Sequence, residues 1–266
     1  MGINALIVGA DLFFLLFARI FALLSVAPLT SSQALPTAAR AGLALLTAVT
    51  IFPWAQAQGG WVIPDNGWVY AALIGGEVLL GLFQGFVMLM VFSVFQMSGQ
   101  LFSTPMGFGA SEVFDPMSQI ELPLIGQFFN LAATMVFLSV QGLQKLFFTG
   151  VFQSFQALKA SDFLTNPGDV SKSLLTAFAD LFQRSLIISL PILGVLLLVS
   201  VTMGLLGKAA PQMNLMMVGF PISITVGFII IILVLPFLTH AFGVVIDRSF
   251  ELMLTTAGAQ PGTVPR

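Results

Sequence analysis

Residues 213–246 read MNLMMVGFPISITVGFIIIILVLPFLTHAFGVVI, without a single Asp, Glu, Lys or Arg. A bilayer core takes about 20 apolar residues in a helix, so this run suits a membrane and is too long for one untilted span. Working outward, five further apolar blocks precede it, at 12–29, 41–54, 69–102, 122–155 and 174–206. The first is marginal and the second short, whereas the other three again exceed about 30 residues. Gly, Pro or amide residues interrupt the long blocks: Gly75-Gly76, Gly81 and Gly85; Gly126; Pro191 and Gly194; Pro221 and Pro236. The pattern predicts an all-α membrane protein of kinked and broken apolar helices and helical hairpins. Broken backbone at membrane depth needs protein or a wet cavity to satisfy it; the plainer alternative is a set of tilted spans with Pro kinks.

Composition agrees. The 266 residues are 58% hydrophobic and 8% charged, against about 25% charged in soluble domains. The chain has 27 Phe and 1 Tyr, so most rings carry no polar handle. A net charge of −2 argues against a nucleic-acid partner. With no cysteine there is no disulfide, thiolate metal site or thiol nucleophile. Met1–Ala10 holds no Lys or Arg, so the block at 12–29 is expected to be a retained membrane helix rather than a cleaved signal.

Catalysis finds little support. His240 is the only histidine, which excludes a two-histidine metal site on this chain. Ser111 is not in a G-x-S-x-G elbow, and Gly107-Phe108-Gly109 follows no strand pattern. The expectation is that the chain is not an enzyme and has no catalytic, cofactor-binding or metal-binding residues. Several charges sit in or at the edge of the apolar blocks and need partners, among them Asp11, Arg19, Glu77 and the i,i+4 pair Asp180–Arg184. Each is either a functional group or half of a structural ion pair, and the absence of a relay of acids in successive spans favours the ion pair.

Two stretches stand out. The first, Ser98 to Pro116, contains Met106, Gly107, Phe108, Gly109, Val113 and Phe114. Its Gly and Pro residues are expected to prevent a regular helix, and its apolar side chains to bury it. That suits either a constriction loop in a pore, over about 103–121, or an interhelical turn. The second, Gly204 to Pro221, places Lys208, Pro211, Gln212 and Asn214 between long apolar blocks and reads as the tip of a helical hairpin.

At these residues the chain resembles a known family, the R subunit of the type III protein-export gate (flagellar FliR and its injectisome relatives). Pro28, Leu35-Pro36, Arg40, Leu43 and Pro53 are similar to its N-terminal pattern. Glu77 with Gly81 and Gly85 resembles its G-E-x-x-x-G-x-x-x-G helix, Ser98–Pro116 its central loop, and Gly204–Pro221 its C-terminal signature. Phe102-Ser103 departs from the Ile-Asp pair of many members, which puts an acidic role at that point in doubt. The resemblance implies a core component of the export gate, packed into a heteromeric helical assembly. That gate passes unfolded flagellar proteins across the bacterial inner membrane at the basal body and is sealed at rest. It implies the P and Q subunits (FliP, FliQ) and the B subunit (FlhB) as partners, with unfolded substrates and lipid as further contacts. No cofactor is implied, since energy comes from proton motive force and a separate ATPase. Residues 1–173 would be P-like, 174–250 a Q-like hairpin and 251–266 a short polar tail. Met106, Gly107, Phe108, Gly109, Val113 and Phe114 would line the gate. Glu77, Gly81, Gly85, Lys208, Pro211, Gln212 and Asn214 would meet neighbouring subunits. The main alternative function is a small permease or carrier, which would need a midplane site and inverted internal symmetry. A third reading is a passive scaffold in the same gate, without a pore-lining loop.

Overall fold

The computed structural model describes residues 3–31, 35–58, 64, 66–108, 124–157, 167–212 and 214–256. Among these there is no strand. The helices are α1 (Ile3–Val26), α2 (Thr37–Gln58), α3 (Gly67–Met106), α4 (Leu124–Ser139), α5 (Gly142–Lys145), α6 (Ser154–Ala157), α7 (Pro167–Ala209) and α8 (Leu215–Thr256), with a π-helical segment, Leu146–Gln153, joining α5 to α6. Five helices are long and apolar enough to cross a membrane, and a sixth candidate is the pair Leu124–Ser139 and Gly142–Gln153, bent by 73°. The chain is therefore an all-α membrane protein.

The six apolar blocks become helices, but the break falls elsewhere than the glycines and prolines suggest. α3, α7 and α8 are unbroken over 40, 43 and 42 residues. At 1.5 Å per residue each is about 60 Å long, roughly twice a hydrocarbon core. Pro53, Pro191, Pro221 and Pro236 all lie inside helices. A helix tolerates such residues in an apolar setting where neighbours satisfy the freed carbonyl. Among the described residues of the 122–155 block the break is at Gln141, whose φ of 57° is left-handed and ends the α4 direction. The Ser98–Pro116 stretch is also corrected: α3 continues through Ser98 to Met106, and the turn begins at Gly107. Likewise the hairpin tip is narrower than Gly204–Pro221. Gly204–Ala209 belongs to α7 and Leu215–Pro221 to α8.

The chain forms two compact units, one of residues 1–90, 141–177 and 247–266, the other of 91–140 and 178–246. In the first, α1 and α2 form an antiparallel hairpin, with Phe13 meeting Phe52 at 6.0 Å. Thr30 closes the end of α1 by donating to the Leu24 carbonyl at 2.7 Å, and Arg40 donates to the Leu35 carbonyl at 2.9 Å across the connector. α3 runs parallel to α1, since the pairs Tyr70–Asp11 and Glu77–Arg19 advance together. The segment from Gly150 to Phe155 runs back along α1, from Leu23 towards Arg19.

In the second unit, α4 packs antiparallel to the end of α3. Its buried positions Ile125, Phe129, Ala133 and Phe137 recur at helical spacing and make one face. Phe92 meets Phe137 at 5.5 Å and Phe102 meets Phe129 at 5.2 Å. α8 also runs antiparallel to α3, bringing Phe242 to 4.3 Å from Phe95.

Candidate functional site

Among the described residues the distinctive groups form three separate arrangements, two built by helix crossings and one by a turn between helices.

The first is a buried charge cluster in the unit of α1 and α2. Arg19 Nε donates to Glu77 Oε2 at 2.5 Å, with Arg19 and Glu77 only 1% and 2% exposed. Arg19 Nη1 donates to Ser154 Oγ at 3.3 Å, and the guanidinium lies 4.2 Å from the Phe155 ring centroid. One cation thus ties α1 to α3 and α6. A buried charge is tolerable only when paired and hydrogen-bonded, and here a carboxylate, a hydroxyl and a π-face supply that. The approach depends on glycine. A Cβ at Gly81 would collide with the Arg19 carbonyl oxygen and lie 2.9 Å from Ala22 Cβ. One at Gly85 would lie 2.9 Å from the Leu23 carbonyl oxygen and from Val26 Cβ. Gly81 and Gly85 sit one turn apart and stack above Glu77 on the same face. Glu77, Gly81 and Gly85 therefore make their close contacts with α1 of their own chain. Ser154 and Phe155 are members of this cluster that carry no signal in the sequence, being 135 and 136 positions from Arg19.

The second arrangement, in the other unit, is the end of α3. Met106 is fully buried, and a Cβ on Gly227 would lie 2.6–3.0 Å from its Cε, Cγ and sulfur. Gly107 takes φ 100°, a left-handed conformation that strains other residues. Its N–H donates to the Thr104 carbonyl at 2.9 Å, while the Phe108 N–H donates to the Ser103 carbonyl at 3.2 Å. That pair of bonds is a Schellman termination. The Phe108 ring meets Phe228 edge-on at 6.3 Å. Gly109, Val113 and Phe114 lie outside the described residues. Phe220 falls in the Gly204–Pro221 stretch and Gly227 and Phe228 in the apolar block after it, where composition gives none of the three a separate role.

The third is the turn between α7 and α8. Lys208, Pro211, Gln212 and Asn214 are all exposed. The Asn214 side chain accepts from the Met217 N–H at 3.3 Å, an N-cap for α8. Both flanking helices are widely apolar on the outside: Leu190, Leu197 and Leu198 are 58–64% exposed on α7, and Ile232 and Leu233 are 68% exposed on α8.

Elsewhere, Asp180 and Arg184 form the expected i,i+4 pair at 3.2 Å, partly exposed. Asp11 offers its backbone carbonyl to the Tyr70 hydroxyl at 2.9 Å, so the ionic partner closing on Arg19 is Glu77. His240 is exposed on α8, and Ser111 lies outside the described residues. Among the described residues no group of three His, Asp or Glu side chains is placed to hold a metal.

Comparison with known proteins agrees with the architecture. Residues 10–249 match the family described as bacterial export proteins, family 1. The chain is 34% identical to the flagellar biosynthetic protein FliR of Borreliella burgdorferi over 189 residues, 70% of each chain. It is 30% identical to the FliR of Bacillus subtilis over 259 residues, 95% of each. With the FliR of Escherichia coli it shares 27% identity over 91% of this chain and 93% of that one. With the match extending from α1 to the last turns of α8, this chain belongs to the bacterial export proteins, family 1.

Proposed function

We propose that this chain is a core component of the flagellar type III protein-export gate, set in the bacterial inner membrane at the basal body. In this reading it helps form the channel through which unfolded flagellar proteins cross and helps seal that channel at rest. Its partners are FliP, FliQ and FlhB, with export substrates passing transiently. Residues 1–173 act as the P-like part, 174–250 as the Q-like hairpin, and 251–266 as the tail. Its role is structural rather than catalytic.

The observation that carries the reading is the pairing of that family match with two helices, α7 and α8, whose outer faces are rich in large exposed apolar side chains. Their apolar spans, Phe178–Ala209 and Met217–Glu251, run 32 and 35 residues, about 50 Å at 1.5 Å per residue and longer than lipid alone would cover. The part of that apolar surface lying beyond the hydrocarbon core calls for protein neighbours rather than lipid. Lys208, Gln212 and Asn214, with Pro211 among them, lie at the hairpin tip and are the residues offered to a neighbouring subunit. Glu77, Gly81 and Gly85 serve the assembly through the shape of the α1–α3 pair they lock. Met106 to Phe114 forms the seal, with soft apolar side chains excluding water and ions without a charge barrier.

Deleting Gly107–Ser111 tests the seal. The assembled complex should form, while ion or small-molecule leakage across the membrane rises. Unchanged conductance in a correctly assembled deletion would refute the sealing role.

A further inference from the structure

Three successive residues at the end of α3 each meet a residue of α8. Met106 fills the notch left by the missing side chain of Gly227. Gly107 lies against Phe220, whose Cδ1 would be 2.7 Å from an added Cβ. Phe108 meets Phe228 edge-on. These contacts sit on a Schellman end in which two backbone bonds hold the chain's exit direction. Packed interiors respond to such knob-and-notch contacts as discrete fits rather than continuous deformations.

From this we infer that Phe220, Gly227 and Phe228 are positioning residues. They hold the end of α3, so that Met106 to Phe108 stay seated on α8 during export. The inference rests on reading Met106–Phe114 as the seal. It adds that α8, more than a hundred positions away in sequence, determines where the seal starts.

The chain has no cysteine, which makes paired thiols clean probes. Gly227→Val drives two methyl groups into Met106, whereas Gly243→Val enters open space on the same helix. In the assembled complex, Gly227→Val should raise ion leakage several-fold over Gly243→Val, with Gly227→Ala intermediate. A Phe108→Cys/Phe228→Cys pair joined by a short thiol crosslinker should still export substrate at the uncrosslinked rate. If the Gly107–Ser111 deletion leaks but both Gly227 variants behave like Gly243→Val, the anchor is wrong and the seal stands. If neither the deletion nor the Gly227 variants leak, the sealing role fails first. Should crosslinking 108 to 228 stop export, the end of α3 itself must move, and the fixed anchor is overturned whatever the leak assays give.

Discussion

Replacing Glu77 by Gln isolates the buried charge cluster. The substitution keeps the side-chain volume and one acceptor oxygen but removes the negative charge facing Arg19. Arg19 is 1% exposed, so its charge cannot recover solvation by a small side-chain swing. With charge centres about 4 Å apart and an effective dielectric near 20, the lost attraction is about 4 kcal/mol. Breaking a buried ion pair from one side costs roughly 3–5 kcal/mol by mutational precedent, in agreement. The retained Gln acceptor, Ser154 and the Phe155 ring offset part of this, so about 3 kcal/mol is expected for Glu77→Gln. Glu77→Ala, which loses the acceptor as well, should cost nearer about 5 kcal/mol. Against a total stability of about 5–15 kcal/mol, either loss should lower the amount of folded chain in the membrane. The joint replacement Arg19→Met/Glu77→Leu removes both charges and should be better tolerated than either single change. Lys145→Ala is the internal control. Its ion pair with Asp247, at 2.7 Å, is 41% and 54% exposed and should be worth less than about 1 kcal/mol. The assay is membrane abundance and heat-induced loss of the detergent-solubilised complex, read beside the dependence of export on proton motive force. The reasoning is refuted if Glu77→Gln assembles normally and selectively loses that dependence, since a proton relay would then be the role of the carboxylate. It is also refuted if the double variant is less stable than both singles.

Two further outcomes follow from the geometry. Gly81→Val and Gly85→Val should each destabilise the α1–α3 pair by roughly 1–3 kcal/mol or more, because the obstructing atoms include backbone that cannot swing aside; a temperature of half-loss matching wild type would contradict the packing. Asn214→Leu and Pro211→Ala should weaken co-purification with FliQ and FlhB more than Lys159→Ala, the Asn change losing an N-cap worth about 1 kcal/mol. Asn214→Ser, which keeps a capping oxygen, should retain those partners, and equal recovery of partners with all four variants would reduce the turn to a simple loop.

Which parts of this were legible from sequence follows from the range of each interaction. The apolar blocks were visible because length and composition alone mark helices that suit a membrane. Their exact extents were less so: Gly costs a helix about 1 kcal/mol locally, and at Gly81 and Gly85 that cost is offset by the close contact with α1 it permits. The break at Gln141 has only the neighbouring Gly142 as a signal, and the left-handed residue is the non-glycine, held by its tertiary surroundings rather than announced by its type. The π-helical run LFFTGVFQ is likewise unmarked by periodicity. Glu77 is legible as an acid inside an apolar block that needs a partner, but its partner lies 58 positions away and no spacing rule reaches that far. Met106, Gly107 and Phe108 stand out by their apolar, kink-rich setting. Their seat on α8 is a matter of tertiary packing and was not readable.

The central claim, that this chain works as one subunit of a heteromeric export gate, is tested most directly by the composition of the complex purified in mild detergent. Native mass measurement on the tagged, full-length chain expressed with FliP, FliQ and FlhB should give one heteromeric particle. In it, this chain, FliP and FliQ should resist separation, with FlhB recovered on the same particle. A monomer or homodimer that excludes FliP and FliQ at normal expression would contradict the account and favour a small carrier working alone.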